Sequence, residues 1–132
     1  MKKRYLLDTH AMVFWTTGEN MSPGFRGALD DAAGRGEVCV SSVSFWELAL
    51  LARKGRIKIA DVAGWKDRFL AHSGAVLVDP DVDDMIASAL LPPHHKDPLD
   101  RLLVAQAFRL GAALVSRNAA LPAYGLDVLW LE

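Results

Sequence analysis

Asp97 and Asp100 stand three residues apart around Pro98 and Leu99, at the head of an apolar stretch that runs to Gly111. Two acids so placed open a helix. Asp97 can accept bonds from free amides, Pro98 lacks the donor that the first helical position leaves unpaired, and Asp100 falls in the positive first turn. An ordinary helix start needs no more than that. Chemistry needs other acids converging on the same place, because grouped carboxylates hold hard cations and move protons. Three further residues qualify by position. Asp8 follows the short strand-like run 4–7, Glu47 interrupts an otherwise apolar stretch between Ser44 and Arg53, and Asn118 follows the strand-like run 112–116 and Arg117.

These residues depend on the elements that would carry them. Residues 4–7, 38–41, 75–78, 112–116 and 127–131 read as strands, bounded by Gly, Pro, Asp or Ser. Between them lie helices. An apolar run covers 11–15, Ser22 and Pro23 open a helix reaching about residue 33, and another covers 61–72. Asp81 caps a helix over 82–91 that Pro92 and Pro93 end. In the helix after Asp97, Leu99, Leu102, Leu103 and Leu110 form one stripe, which Gln106 interrupts.

Ser44 and Glu47 have the spacing of a capping box. Every other residue from Phe45 to Ala52 is apolar, which predicts a helix buried on most sides. A carboxylate inside such a helix must be paired, capped or metal-bound.

Strands alternating with helices predict an α/β fold: a three-layer α/β/α sandwich around a mostly parallel sheet, with residues 1–132 as a single domain. Right-handed crossovers then bring the strand exits to one edge. Asp8, Asp100 and Asn118 are expected to meet there, with Glu47 leaning in and Asp97 at the rim.

The composition narrows the function. A net charge of −1 and a pI near 6.4 exclude a global basic footprint for duplex DNA. Basic residues gather locally instead, at Arg53, Lys54, Arg56 and Lys58 and at His94, His95 and Lys96. Cys39 is the only cysteine, so a reducing, cytoplasmic setting is expected and Cys39 reads as a small core residue. Only three residues separate the basic Lys2, Lys3 and Arg4 from Asp8, too few for a secretory apolar region, and no run approaches a membrane span. With 52% hydrophobic residues and four Trp, part of the surface is expected to be covered by another chain.

Converging carboxylates repel one another, and a fold resolves this by protonation, a basic partner or a cation. Oxygen ligands without thiolates select Mg²⁺ or Mn²⁺ over Zn²⁺, and the adjacent His94 and His95 are poorly spaced for zinc. Such an ion makes an attacking water more acidic and stabilises a leaving oxygen, the requirements of phosphodiester hydrolysis.

With Asp8, Glu47, Asp100 and the strand end Ser116, Arg117 and Asn118 in view, the chain resembles PIN-domain ribonucleases, and more narrowly the VapC toxins of toxin-antitoxin pairs. The resemblance spans essentially the whole chain. The run Asp97, Pro98, Leu99, Asp100 and Arg101 is similar to that of one subgroup. It implies Mg²⁺- or Mn²⁺-dependent cleavage of RNA, single-stranded or transfer RNA, together with homodimerisation and inhibition by a small antitoxin protein lying across the site. It also implies metal ligation chiefly by Asp8 and Asp100, with Glu47 acting through water or on the nucleophile.

Asn118 departs from the family, which often has a fourth acid there. An amide still offers a carbonyl oxygen but adds an NH₂ donor, which favours one metal over two; Asp97 is a partial replacement. Thr9, Ser116, Arg117, Arg53 and Lys54 are candidates for contact with substrate, and the basic turn 53–58 for steering RNA or meeting an acidic antitoxin segment. Two other readings remain open. One is a PIN-fold binder with decayed chemistry. The other is a phosphorelay receiver with Asp79 as phosphoacceptor, against which stand Thr9 and His10 where a second acid belongs and Trp130, Leu131 and Glu132 where a Lys belongs.

Overall fold

The computed structural model describes residues 3–130. Five parallel strands form one sheet in the order β3-β2-β1-β4-β5. The strands are β1 (Arg4–Leu7), β2 (Val38–Ser41), β3 (Val76–Val78), β4 (Ala112–Val115) and β5 (Val128–Leu129). Six helices accompany them: α1 (Thr9–Thr17), α2 (Pro23–Gly34), α3 (Ser42–Arg53), α4 (Val62–Ser73), α5 (Val82–Leu90) and α6 (Pro98–Leu110). A 3-10 turn covers Leu121–Tyr124.

The alternation of side chains along each strand builds two cores. Leu7, Val40 and Val115 pack with Met12, Trp15, Phe25, Leu29, Leu48 and Phe69 on one face. Leu6, Cys39 and Leu114 pack with Leu103, Val104, Ala107 and Leu121 on the other. Each fully buried leucine contributes roughly 2 kcal/mol. Cys39 is buried and free, as its setting implied.

The chain steps from β1 to β2 to β3, then returns across β1 to add β4 and β5 on the far side. The order therefore reverses between β1 and β4, and a crevice opens there beyond the strand exits. Asp8 N–H donates to Val115 O at 3.1 Å, so the two exits are joined directly. Asp79 follows the edge strand β3, away from that crevice, and the strand order differs from that of a receiver. The receiver reading fails on both counts.

Several local expectations change. Helix α3 starts three residues earlier than a Ser44 cap would require: Ser41 is the N-cap, with its hydroxyl accepting from Val43 N–H at 3.2 Å. Ser44 is fully buried inside the helix and forms no capping box with Glu47. Nor is α3 buried on most sides, since Val43, Ser44 and Leu48 are its buried residues and Trp46 is 59% exposed. In α6 the buried stripe is 103–107, and it includes Gln106 in full. Leu99, Leu102 and Leu110 are half-buried. Helix α1 begins at Thr9, strands β3 and β4 run over Val76–Val78 and Ala112–Val115, and β5 is limited to Val128–Leu129. Leu131, assigned to the last strand, lies outside the described residues.

Candidate active site

Asp8, Glu47, Asp97, Asp100 and Asn118 line one cavity of about 360 Å³ with Thr9, His10, Phe14 and Arg117. Each acid arrives by a local rule. Asp8 ends β1 and caps α1, its Oδ1 accepting from Ala11 N–H at 2.8 Å. Asp97 caps α6 through Leu99 N–H at 2.9 Å, and Asp100 lies in the first turn. Capping and convergence are therefore properties of the same residues. Glu47 reaches in from α3 and accepts a hydrogen bond from the hydroxyl of Thr9.

The charges are poorly compensated. Burial pushes the carboxyl of Asp8 up against a Ser116 hydrogen bond and the Ala11 amide, and the negative charge of Asp100 adds to the rise. Burial raises Glu47 likewise, opposed by the Thr9 hydroxyl and reinforced by Asp100 and Asp97. Asp100 is raised by burial and by Asp97, with His95 opposing. Among the described residues no lysine or arginine forms an ion pair with any of these acids.

Oxygen ligands raised together by burial and mutual repulsion fit a divalent cation, which would stabilise all of their ionised forms at once. The residues that could hold it are Asp8, Glu47, Asp97 and Asp100. The tightest group is not the expected one. His95, Asp97 and Asp100 each bring a ligand atom within 4.8 Å of the others, and no trio containing Asp8 or Glu47 does so among the described residues. Asp8 and Glu47 line the same cavity as Asp97 and Asp100, and an ion bound by few carboxylates keeps several of its own waters.

His95 is the residue that sequence spacing missed. Its Nε2 lies 2.8 Å from Asp100 Oδ2, although its neighbour His94 instead packs edge-on against Tyr124. Adjacency of the two histidines argued against a shared zinc site but left each one separately available. The position of His95, two residues before the capping Asp97, was the only available signal.

Asn118 differs from expectation in orientation. Its Oδ1 accepts from Ala120 N–H at 2.9 Å, so its amide nitrogen faces the site, 3.4 Å from Asp100 Oδ2 and 3.2 Å from His95 Nε2. It presents a donor there and not a carbonyl ligand.

The candidates for substrate contact divide. Arg117 is exposed on the cavity wall, its guanidinium over the rings of Phe14 at 5.6 Å and Trp130 at 5.8 Å. Thr9 borders the cavity but is buried and engaged with Glu47. Ser116 is buried behind Asp8, its oxygen accepting from Asn118 N–H at 3.1 Å. Arg53 and Lys54 are exposed at the end of α3 and do not line the cavity. Arg56 and Lys58 line an adjoining groove, which shares His10 and Phe14 with the site.

A parallel sheet of this order, with acids gathered at the β1/β4 switch point, defines an α/β protein with an acidic crevice at its strand exits. The sequence model of the PIN domain matches residues 5–125, and the chain belongs to that family. It is 33% identical over 118 residues to Ribonuclease VapC22 of Mycobacterium tuberculosis, covering 88% of each chain. The fold matches VapBC2 from Rickettsia felis, bound to a DNA fragment from its promoter, with a TM-score of 0.73 at 20% identity over 96% of this chain and 98% of that one. It also matches DNA-bound VapBC from Salmonella typhimurium, with a TM-score of 0.69 at 18% identity over 96% and 97%. The family resemblance drawn from the acids and the Asp97–Arg101 run is borne out.

Proposed function

We propose that this protein is a divalent-metal-dependent endoribonuclease, the toxin of a VapBC-type pair, whose partner is a small antitoxin. The observation that carries the reading is the convergence of Asp8, Glu47 and Asp100 on one cavity, where burial and mutual repulsion raise all three. The 33% identity to a ribonuclease supports the activity, and the likeness to VapBC folds is consistent with the antitoxin.

Asp8 and Asp100 hold the ion, Mg²⁺ or Mn²⁺, with Glu47 and Asp97 completing the acidic wall. When bound, the ion supplies positive charge to the transition state and acidity to the attacking water. Glu47, its carboxyl raised by burial, is placed to take a proton, and the Thr9 hydroxyl fixes its orientation. Arg117 offers a fixed cation to a phosphate oxygen at the rim. Arg56 and Lys58 extend that positive edge along the adjoining groove, where a single-stranded or transfer RNA passes.

A homodimer is part of the reading. Val82, Met85, Ile86 and Leu90 of α5 are between 52% and 79% exposed, and Val76 and Leu77 of the edge strand are each 44% exposed. Faces this apolar on a single chain are suited to burial against a second copy. Residues 1–132 act as a single domain, in the cytoplasm with its RNA; no helix among the described residues is long and apolar enough to cross a membrane.

Purified protein freed of any partner, incubated with single-stranded and transfer RNAs, is expected to produce fragments in Mn²⁺ and none in EDTA. Equal cleavage in both, or none under any divalent ion, rejects the enzyme in favour of a PIN-fold binder.

A further inference from the structure

We propose that His95 is a positioning residue, which with Asn118 holds one oxygen of Asp100 so that the other is presented to the cation. The inference rests on the metal-dependent reading above.

The carboxylate of Asp100 is held on one side only. Oδ2 receives His95 Nε2 at 2.8 Å and the weaker Asn118 amide at 3.4 Å, whereas Oδ1 receives no hydrogen bond among the described residues. Asn118 cannot turn its carbonyl inward without losing the Ala120 N–H bond, so two donors address the same oxygen. Nε2 carries a hydrogen in both the Nε2–H neutral tautomer and the charged ring, so the hold does not require a charged histidine.

The histidine is itself built in. Its N–H donates to the Tyr124 hydroxyl at 2.9 Å, and its carbonyl accepts from Arg101 Nη1 at 3.1 Å. Arg101 also donates to Pro92 O at 3.0 Å and to Ser88 O and Leu91 O, each at 2.8 Å, tying the end of α5 and the following loop to α6. One arginine, the residue immediately after the acid it serves, thus fixes the backbone of the residue that orients that acid. Such a network restricts Asp100 to one rotamer before any ion arrives, which lowers the cost of ordering it on binding.

The test is direct Mn²⁺ binding, measured by calorimetry in the absence of RNA, on the unaltered protein, His95→Ala and His95→Gln. A glutamine amide can donate from nearly the same position as Nε2. His95→Ala is expected to weaken Mn²⁺ binding about tenfold and His95→Gln to recover most of it. In cleavage assays the His95→Ala defect should shrink as Mn²⁺ approaches saturation, as a positioning role requires and a direct chemical role does not. Unchanged or tighter Mn²⁺ binding in a folded His95→Ala protein overturns the proposal, the second result marking His95 as a competitor for the site. If His95→Ala does not fold, His95→Gln decides alone, with near-normal binding in support and loss of binding against. Should the unaltered protein bind no Mn²⁺, both this proposal and the metal-dependent reading fall together.

Discussion

Two groups of acids in this chain answer the same electrostatic problem in opposite ways. Between α5 and α6, Asp84 is 2% exposed, and the guanidinium of Arg109 meets its carboxylate at 2.8 and 3.0 Å. Burial disfavours its charge, but Arg109 and the Asp81 backbone amide outweigh that and hold the carboxyl below its ordinary value. Its Oδ2 also accepts from Asp81 N–H at 3.0 Å, completing a capping box that ties α5. At the strand exits no ion pair from an arginine to Asp8, Glu47 or Asp100 is found among the described residues, and all three are raised. The first cluster is neutralised within the chain, while burial and mutual repulsion raise the second. A count of acids would not separate them, but the direction of the shift does.

The largest expected effect breaks the second cluster. Asp8→Ala or Asp100→Asn should lower RNA cleavage by about 10³-fold, equivalent to roughly 4 kcal/mol of transition-state stabilisation. Asp100→Asn should raise the melting temperature of the metal-free protein by removing a repelling charge, whereas Asp8→Ala also removes the α1 cap, at a cost of about 1 kcal/mol. A large destabilisation by Asp100→Asn in EDTA would contradict the contrast.

The complementary change breaks the first cluster. Asp84→Ala is expected to cost about 2 kcal/mol in a denaturant melt, because buried charge-assisted hydrogen bonds and half of a capping box are lost. Cleavage per folded molecule should stay near that of the unaltered protein.

The pH dependence of stability in EDTA should show both clusters with opposite signs. Asp8, Glu47 and Asp100 are raised from ordinary values of 3.8, 4.5 and 3.8, so their contribution is fully present below about pH 4. It is lost as pH rises through the raised values. Asp84 is lowered from 3.8, so its contribution is present above that value and lost as pH falls through the lowered one. Melting temperatures across pH should therefore decline on both sides of a mildly acidic maximum. Asp84→Asn flattens the acidic limb, and Mn²⁺ flattens the other.

The smallest effect concerns the basic turn. Arg53→Ala and Lys54→Ala, outside the cavity, should change cleavage by no more than about twofold, whereas Arg56→Ala with Lys58→Ala should weaken RNA binding and its salt dependence. Binding assays at two salt concentrations separate the pairs.

Much of this arrangement was legible before any coordinates. The strand and helix order follows from local periodicity and punctuation, and Asp8, Asp97 and Asp100 sit where capping chemistry wants them. Glu47 stood out as the one charge in an apolar stretch, although Ser41 and not Ser44 turned out to begin its helix. The adjoining Ser42 provided a competing start that an apolar pattern does not arbitrate. Trp46 is exposed because α3 presents one flank outward, a matter of how the helix lies on the sheet and not of its own composition.

The chain alone determined which elements form and which acids end them, because caps, strand alternation and helix stops act over a few residues. Tertiary structure decided what those acids meet. The return of β4 beside β1 places Asp8 against the strand end of Ser116–Asn118, and Arg101 with Tyr124 pins the loop that carries His95 to Asp100. The amide of Asn118 turned its nitrogen inward because a backbone N–H two residues on claimed its oxygen, and Asp84 found Arg109 from 25 residues away. Compensation of a buried charge depends on distance in space, falling off over a few ångströms, so the same residue type is neutralised by an arginine in one place and raised by burial and like charges in another.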